Sequence, residues 1–165
     1  MSGGAPTVWV RLARLEDPFA AASSRRLLDA YARAPLGRGA RLPPPVLERV
    51  TQDLAQHPTA RVFLGGIGTL AAGFATCFLG YSTFRGQPLL NLHDLAVLPE
   101  QRGRGIARAL LRVVADHARA LGCCKLTLEV RADNPSAQRL YRAEGFGAAA
   151  NGARPVQYLF LEKPL

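Results

Sequence analysis

The chain has no run of 18 or more apolar residues, only three cysteines among its 165 residues, one tryptophan and two lysines. Each scarcity excludes something. Without a long apolar run, no membrane-spanning helix is expected. Cys77, Cys123 and Cys124 are an odd set with two adjacent members. That pattern is neither a disulfide framework nor a metal-ligand spacing, and it reads as reduced thiols in a cytoplasmic protein. His57, His93 and His117 lie in separate segments, and nothing resembles HExxH or paired CxxC, so no metal is expected. Residues 1–6 (MSGGAP) lack a basic stretch followed by an apolar one, so no secretory signal is expected. Aromatics make up only 7%, yet 48% of residues are hydrophobic, so an aliphatic core is available and global disorder is excluded. The length predicts a single domain over 1–165.

The near-absence of lysine shapes the charge. The formal net charge of +9 rests on 19 arginines, scattered from Arg11 to Arg154. Such a balance suits nucleic acid or a polyphosphate ligand. The arginines show neither aromatic interleaving nor a recognition-helix pattern, so nucleic acid is not the expected partner.

What is present reads as a mixed α/β chain. Residues 7–12 alternate as a short strand, and 18–34 form a helix with Phe19, Ala22, Leu27, Leu28 and Tyr31 on its apolar face. A glycine- and proline-rich stretch at 36–45 predicts a mobile loop, and 46–57 a second helix. Residues 61–66 and 70–84 pair as strands around Gly68, followed by a nearly continuous apolar strand at 89–97 (LLNLHDLAV), expected to be central. Residues 106–121 carry Ile106, Leu110, Val113 and Leu121 at helical spacing, with Gly122 as a left-handed stop. Residues 124–130 alternate as a strand. Asn134-Pro135 opens a last helix that Gly145 closes, and 147–149 and 156–161 are expected to supply closing strands.

The most informative stretch is VLPEQRGRGIA, from Val97 to Ala107. A strand ends, a glycine-containing loop follows, and a strong helix begins. The first helical amides have no internal partners and the helix dipole adds positive character there, which makes an anion site suited to phosphate oxygens. A Walker loop needs a lysine, and none precedes Lys125. A dinucleotide fingerprint needs a third glycine where Arg108 stands. The pattern that remains is Arg/Gln-x-x-Gly-x-Gly/Ala, met by Arg102, Gly105 and Ala107.

Residues 91–146 resemble the core of the GNAT N-acetyltransferase superfamily, through the RGRGIA loop and the later Asn134…Leu140-Tyr141…Gly145-Phe146 helix. The resemblance implies a GNAT-like acyl-CoA N-acyltransferase fold of mixed α+β class, with six to seven strands flanked by about four helices. It implies acetyl-CoA as co-substrate and an amine of a small molecule or peptide as acceptor; the competing reading is a non-catalytic acyl-CoA-binding module. Main-chain groups of Leu95 and Val97 would hold the pantetheine arm in the gap between two splayed strands. Amides of Arg102, Gly103, Arg104, Gly105, Ile106 and Ala107 would hold the pyrophosphate, with Asn134 a further cofactor contact or a plain helix cap. Tyr141, seven residues after Asn134, would protonate the departing thiolate. For the base, His93, Asp94 and Glu129 compete. A member of the family carries histidine at the position matching His93, whereas strand alternation is expected to turn His93 and Asp94 to opposite faces. Family members often pair through C-terminal strands, which implies a homodimer. The acceptor pocket falls to the least diagnostic segments, where Asp17, Asp29, Glu48 and Asp53 could attract a cationic acceptor but read first as solvated helix faces.

Overall fold

A computed structural model of the chain describes residues 7–147 and 161–165. The chain divides into two compact units, residues 1–129 and 130–165.

The first unit contains β1 (Val8–Leu12), α1 (Pro18–Arg33), α2 (Pro44–Gln56), β2 (Ala60–Ile67), β3 (Leu70–Ser82), β4 (Gln87–Val97), α3 (Ile106–Ala120) and β5 (Leu126–Leu128). The strands form one sheet in sequence order, antiparallel from β1 to β4 with β5 parallel to β4. The mixed sheet is therefore as expected. It has five strands among the described residues, and the expected closing strands at 147–149 and 156–161 fall almost wholly outside them.

The helices cover opposite faces. Gly65 and Gly73 pair across β2 and β3, and a Cβ on either would lie 3.1 Å from Ile106 Cγ2. Glycine here lets α3 seat its buried residues Ile106, Leu110, Leu111, Val114 and Ala118 close to the sheet. On the other face, Phe74 meets Tyr31 of α1 edge-on at 6.1 Å and joins a core with Ala20, Leu27 and Leu64. The α1 face differs from the expected one in two residues: Phe19 is exposed, with the Arg11 guanidinium 5.0 Å from its ring centre, and Ala22 is exposed too.

The α1–α2 connection is folded back rather than free. Backbone amides of Gly37, Arg38, Gly39 and Ala40 return to carbonyls of Ala32 and Ala34. Asp29, expected on a solvated face, is buried. It pairs with Arg33, lies 3.6 Å from Arg41 and accepts from the Leu42 amide. Asp17 caps α1 through the Ala20 amide at 2.8 Å.

In the second unit, α4 spans Pro135–Ala143. Asn134 caps it by accepting from the Ala137 amide at 3.1 Å, and Gly145 follows it at φ 89°.

Candidate active site

The site is built on β4, and register decides its geometry. Paired residues of antiparallel strands point to the same face. Phe74 pairs with Ala96, Thr76 with Asp94, and Phe78 with Asn91, so these share the α1 face. Ala75 pairs with Leu95, and Cys77 with Leu92, on the α3 face. Between Leu92 and Asp94 the strand contains one residue, His93, that has no counterpart between Cys77 and Thr76. It is a β-bulge, and a bulge breaks strict alternation. The His93 ring lies 5.5 Å from that of Phe78, edge to face. His93 therefore shares the α1 face with Asp94, and the expectation that they point oppositely is overturned.

These neighbours differ in environment. His93 is exposed, while Asp94 is half-buried. Burial pushes the Asp94 carboxyl above its ordinary value of 3.8, and the adjacent His93 charge works against that shift. Asp94 has no hydrogen bond or ion pair among the described residues. Behind it, burial and then the Asp94 charge raise the Cys77 thiol to about 12, which makes that thiol an inert packing group. Phe78 also meets His57, at the end of α2, at 5.3 Å. His57 had been read only as a dispersed histidine; no local pattern signals its place beside Phe78. Glu129, the third candidate base, is exposed just beyond β5.

The second feature is a gap. The β4–β5 ladder contains three pairs, Leu90–Leu126, Asn91–Thr127 and Leu92–Leu128, and then stops. Asn91 reinforces its last stretch by donating to Thr127 Oγ1 at 3.1 Å. Beyond Leu92, residues 93–97 keep β3 on one side and have no strand on the other among the described residues. Leu95 and Val97 thus carry main-chain groups along an open edge. The expected strand at 124–130 is correspondingly shorter. Ahead of β5 the Cys124 amide still donates to the Pro88 carbonyl of β4, and Lys125 accepts from the Leu90 amide.

The third feature is the loop from Val97 to α3. A short 3₁₀ turn at Pro99–Gln101 leads to Arg102, whose Nε donates to the Val97 carbonyl at 3.2 Å. Gly103 and Gly105 take φ of 75° and 84°, a region that costs other L-residues about 1–2 kcal/mol. These turns present successive amides outward. No backbone acceptor among the described residues takes the amides of Gly103, Arg104, Gly105, Ile106 or Ala107, and Gly105 has no side chain to cap α3. Arg104 is exposed beside them. Orphan amides, a helix N-terminus and two arginines form an anion cradle.

In the second unit, Asn134 Oδ1 is committed to the cap, leaving its amide nitrogen for other contacts. Tyr141 lies two turns along α4, half-buried, with its ring 5.7 Å from that of Phe146. Among the described residues no three His, Cys, Asp or Glu side chains gather as a metal site, and no helix is long and apolar enough to cross a membrane.

Comparison with known proteins gives three kinds of likeness. The sequence profile described as Acetyltransferase (GNAT) family matches residues 25–146. Thialysine N-epsilon-acetyltransferase of Bos taurus is 37% identical over 78 residues, 47% of this chain and 45% of that protein. Streptothricin acetyltransferase of Streptomyces lavendulae is 42% identical over 85 residues, 52% of this chain and 42% of that protein. The match thus spans a little under half of each relative's length. Among solved structures, aminoglycoside N-acetyltransferase AAC(6')-Iy in complex with CoA superposes with a TM-score of 0.77 at 20% identity, covering 100% of both chains. At that identity the likeness speaks for the fold.

Proposed function

The chain belongs to the acetyltransferase (GNAT) family, and on that premise we propose that it moves an acetyl group from acetyl-CoA to an amine by direct attack. The observation that carries the reading is the parting of β4 from β5 after Leu92 and Leu128, next to a loop whose amides from Gly103 to Ala107 lack backbone partners among the described residues. The open β4 edge suits an extended arm with amide groups, and the loop suits a pyrophosphate. Coenzyme A has both, and its acetyl thioester supplies an activated acyl group. Leu95 and Val97 hold the arm through main-chain groups. Residues 102–107 hold the diphosphate through amides, with Arg102 and Arg104 adding charge. Asn134 contributes its free amide nitrogen.

The chemistry takes two protons off the acceptor nitrogen and puts one on the leaving sulfur. An amine that is protonated in water gives its first proton to the His93 imidazole, which reaches solvent. The freed nitrogen attacks the thioester carbonyl carbon, a C–N bond forms and the C–S bond breaks. The Tyr141 phenol donates its proton to the departing thiolate, and the second proton shed by the newly bonded nitrogen restores the phenol by way of water. The names of the similar proteins, thialysine, streptothricin and aminoglycoside acetyltransferases, support a small-molecule amine as acceptor. Three free thiols fit a reducing, cytoplasmic setting.

Thiol release from acetyl-CoA, followed across a panel of amines, tests the reading. Amine-dependent release is expected, and Tyr141→Phe should bind acetyl-CoA by calorimetry while turning over roughly 10²-fold more slowly. Acetyl-CoA binding without release for any amine would identify a non-catalytic binding module instead.

A further inference from the structure

Two adjacent thiols, Cys123 and Cys124, stand in the turn between α3 and β5 and have no part in acetyl transfer. The turn holds them through the backbone. Gly122 takes φ 71°, the Cys123 amide donates to the Ala118 carbonyl at 2.9 Å, and the Cys124 amide donates to the Pro88 carbonyl at 2.8 Å. The chain bends at Cys124, so strand alternation does not turn the two side chains to opposite sides. Each is partly buried and still reaches solvent. Burial, and then the charge of Cys124, push the Cys123 thiol up, so the two sulfurs stand within electrostatic reach of each other. Cys77, the third cysteine, is fully buried on β3 and is shielded from any reagent that meets this pair.

We propose that Cys123 and Cys124 form a two-thiol site that chelates a monosubstituted trivalent arsenical, a modification independent of acetyl transfer. A direct disulfide suits the pair poorly. Adjacent α-carbons stand about 3.8 Å apart across a trans peptide, whereas a relaxed disulfide spans about 4.4–6.8 Å between them. A single bridging atom lets the sulfurs stay farther apart than an S–S bond of about 2.05 Å allows. A zinc-type cation wants a full tetrahedral set, and among the described residues no three His, Cys, Asp or Glu side chains gather. Arsenic that already carries one organic group needs only two sulfurs to fill its valences. The step balances without an oxidant. An arsenic oxide, R–As=O, gives up its oxygen, two As–S bonds form, and the two thiol protons leave on that oxygen as water. Arsenic stays trivalent throughout. The hydrogen bonds of the turn use backbone groups alone, so both sulfurs are left for the bridge.

The probe is phenylarsine oxide, one equivalent added to the full reduced chain beside excess glutathione. The unfolded adduct should show one free thiol where the untreated chain shows three. Trypsin cuts after Arg119 and Lys125, so residues 120–125 form a peptide that carries both cysteines, and the phenylarsenic group should lie on it. That map reads the wild-type chain and needs no substitution. Loss of a single thiol, an adduct on the peptide that holds Cys77, or displacement by glutathione would overturn the site. A small dithiol should strip the adduct and restore all three thiols. Cys123→Ser and Cys124→Ser should each bind roughly 10²-fold or more weakly, since a second linked contact brings a gain of that order. Cys77→Ala should bind as the wild type does. Undiminished binding in either serine variant, or loss of binding in Cys77→Ala, would mean that the adjacent pair is not the chelate.

Discussion

The two halves of β4 are one continuous strand with opposite duties. From Gln87 to Leu92 it has a neighbour on each side, and Leu90 and Leu92 are buried at 0% and 3% exposure. From His93 to Val97 it keeps only β3 as a partner among the described residues. The lower half contributes to stability through packing and paired amides. The upper half gives up one ladder and carries an exposed histidine beside a half-buried aspartate. Stability and chemistry are thus separated along eleven residues, with the bulge at His93 as the dividing point.

Leu90→Ala should break the comparison from the structural side. A fully buried leucine truncated to alanine costs about 2–5 kcal/mol, which denaturant unfolding would register. On the other side of the divide, His93→Gln should leave the unfolding midpoint near wild type. Its turnover should fall roughly 10²-fold. A variant that loses stability and turnover together would merge the two halves.

Smaller effects sharpen the contrast. Gly105→Ala meets no steric obstacle, since a Cβ there has no atom within 4 Å, but it must hold φ 84°. The strain of about 1–2 kcal/mol should appear as roughly tenfold weaker acetyl-CoA binding by calorimetry, because the loop can relax away from its bound shape.

The smallest effect separates two aspartates by sign. The Asp29 pKa is lowered from 3.8, first by its bond to Arg33, so its contribution is present above that ordinary value and lost as pH falls through the depressed one. The Asp94 pKa is raised, so its favourable contribution is present below 3.8 and lost as pH rises through the raised value. Denaturant unfolding at a series of pH values from about 2 to 6 should therefore show Asp29→Asn flattening the rise in stability and Asp94→Asn steepening it.

Much of this was legible in order. The glycine loop before α3 was legible because Gly103 and Gly105 stand between a strand and an amphipathic helix, and local backbone geometry needs only local residues. The helix caps at Asp17 and Asn134 belong to the same class. Other features were misread for a common reason. Asp29 looked like a solvated face because its partners Arg41 and Leu42 lie beyond a turn rich in glycine and proline. Strand 124–130 shortened because alternation describes a chain's readiness to pair, and among the described residues the ladder with β4 ends at Leu128.

By itself the sequence determined the class of the fold, the order of its elements and the anion loop, since periodicity, capping and glycine torsions act within a few residues. Only tertiary structure decided where β4 leaves β5, and that His93 and Asp94 face the same way. A bulge exists only in the register between two strands, and Thr76 and Cys77 lie some sixteen residues earlier in the chain. No pattern within LLNLHDLAV records which residue the partner strand will skip.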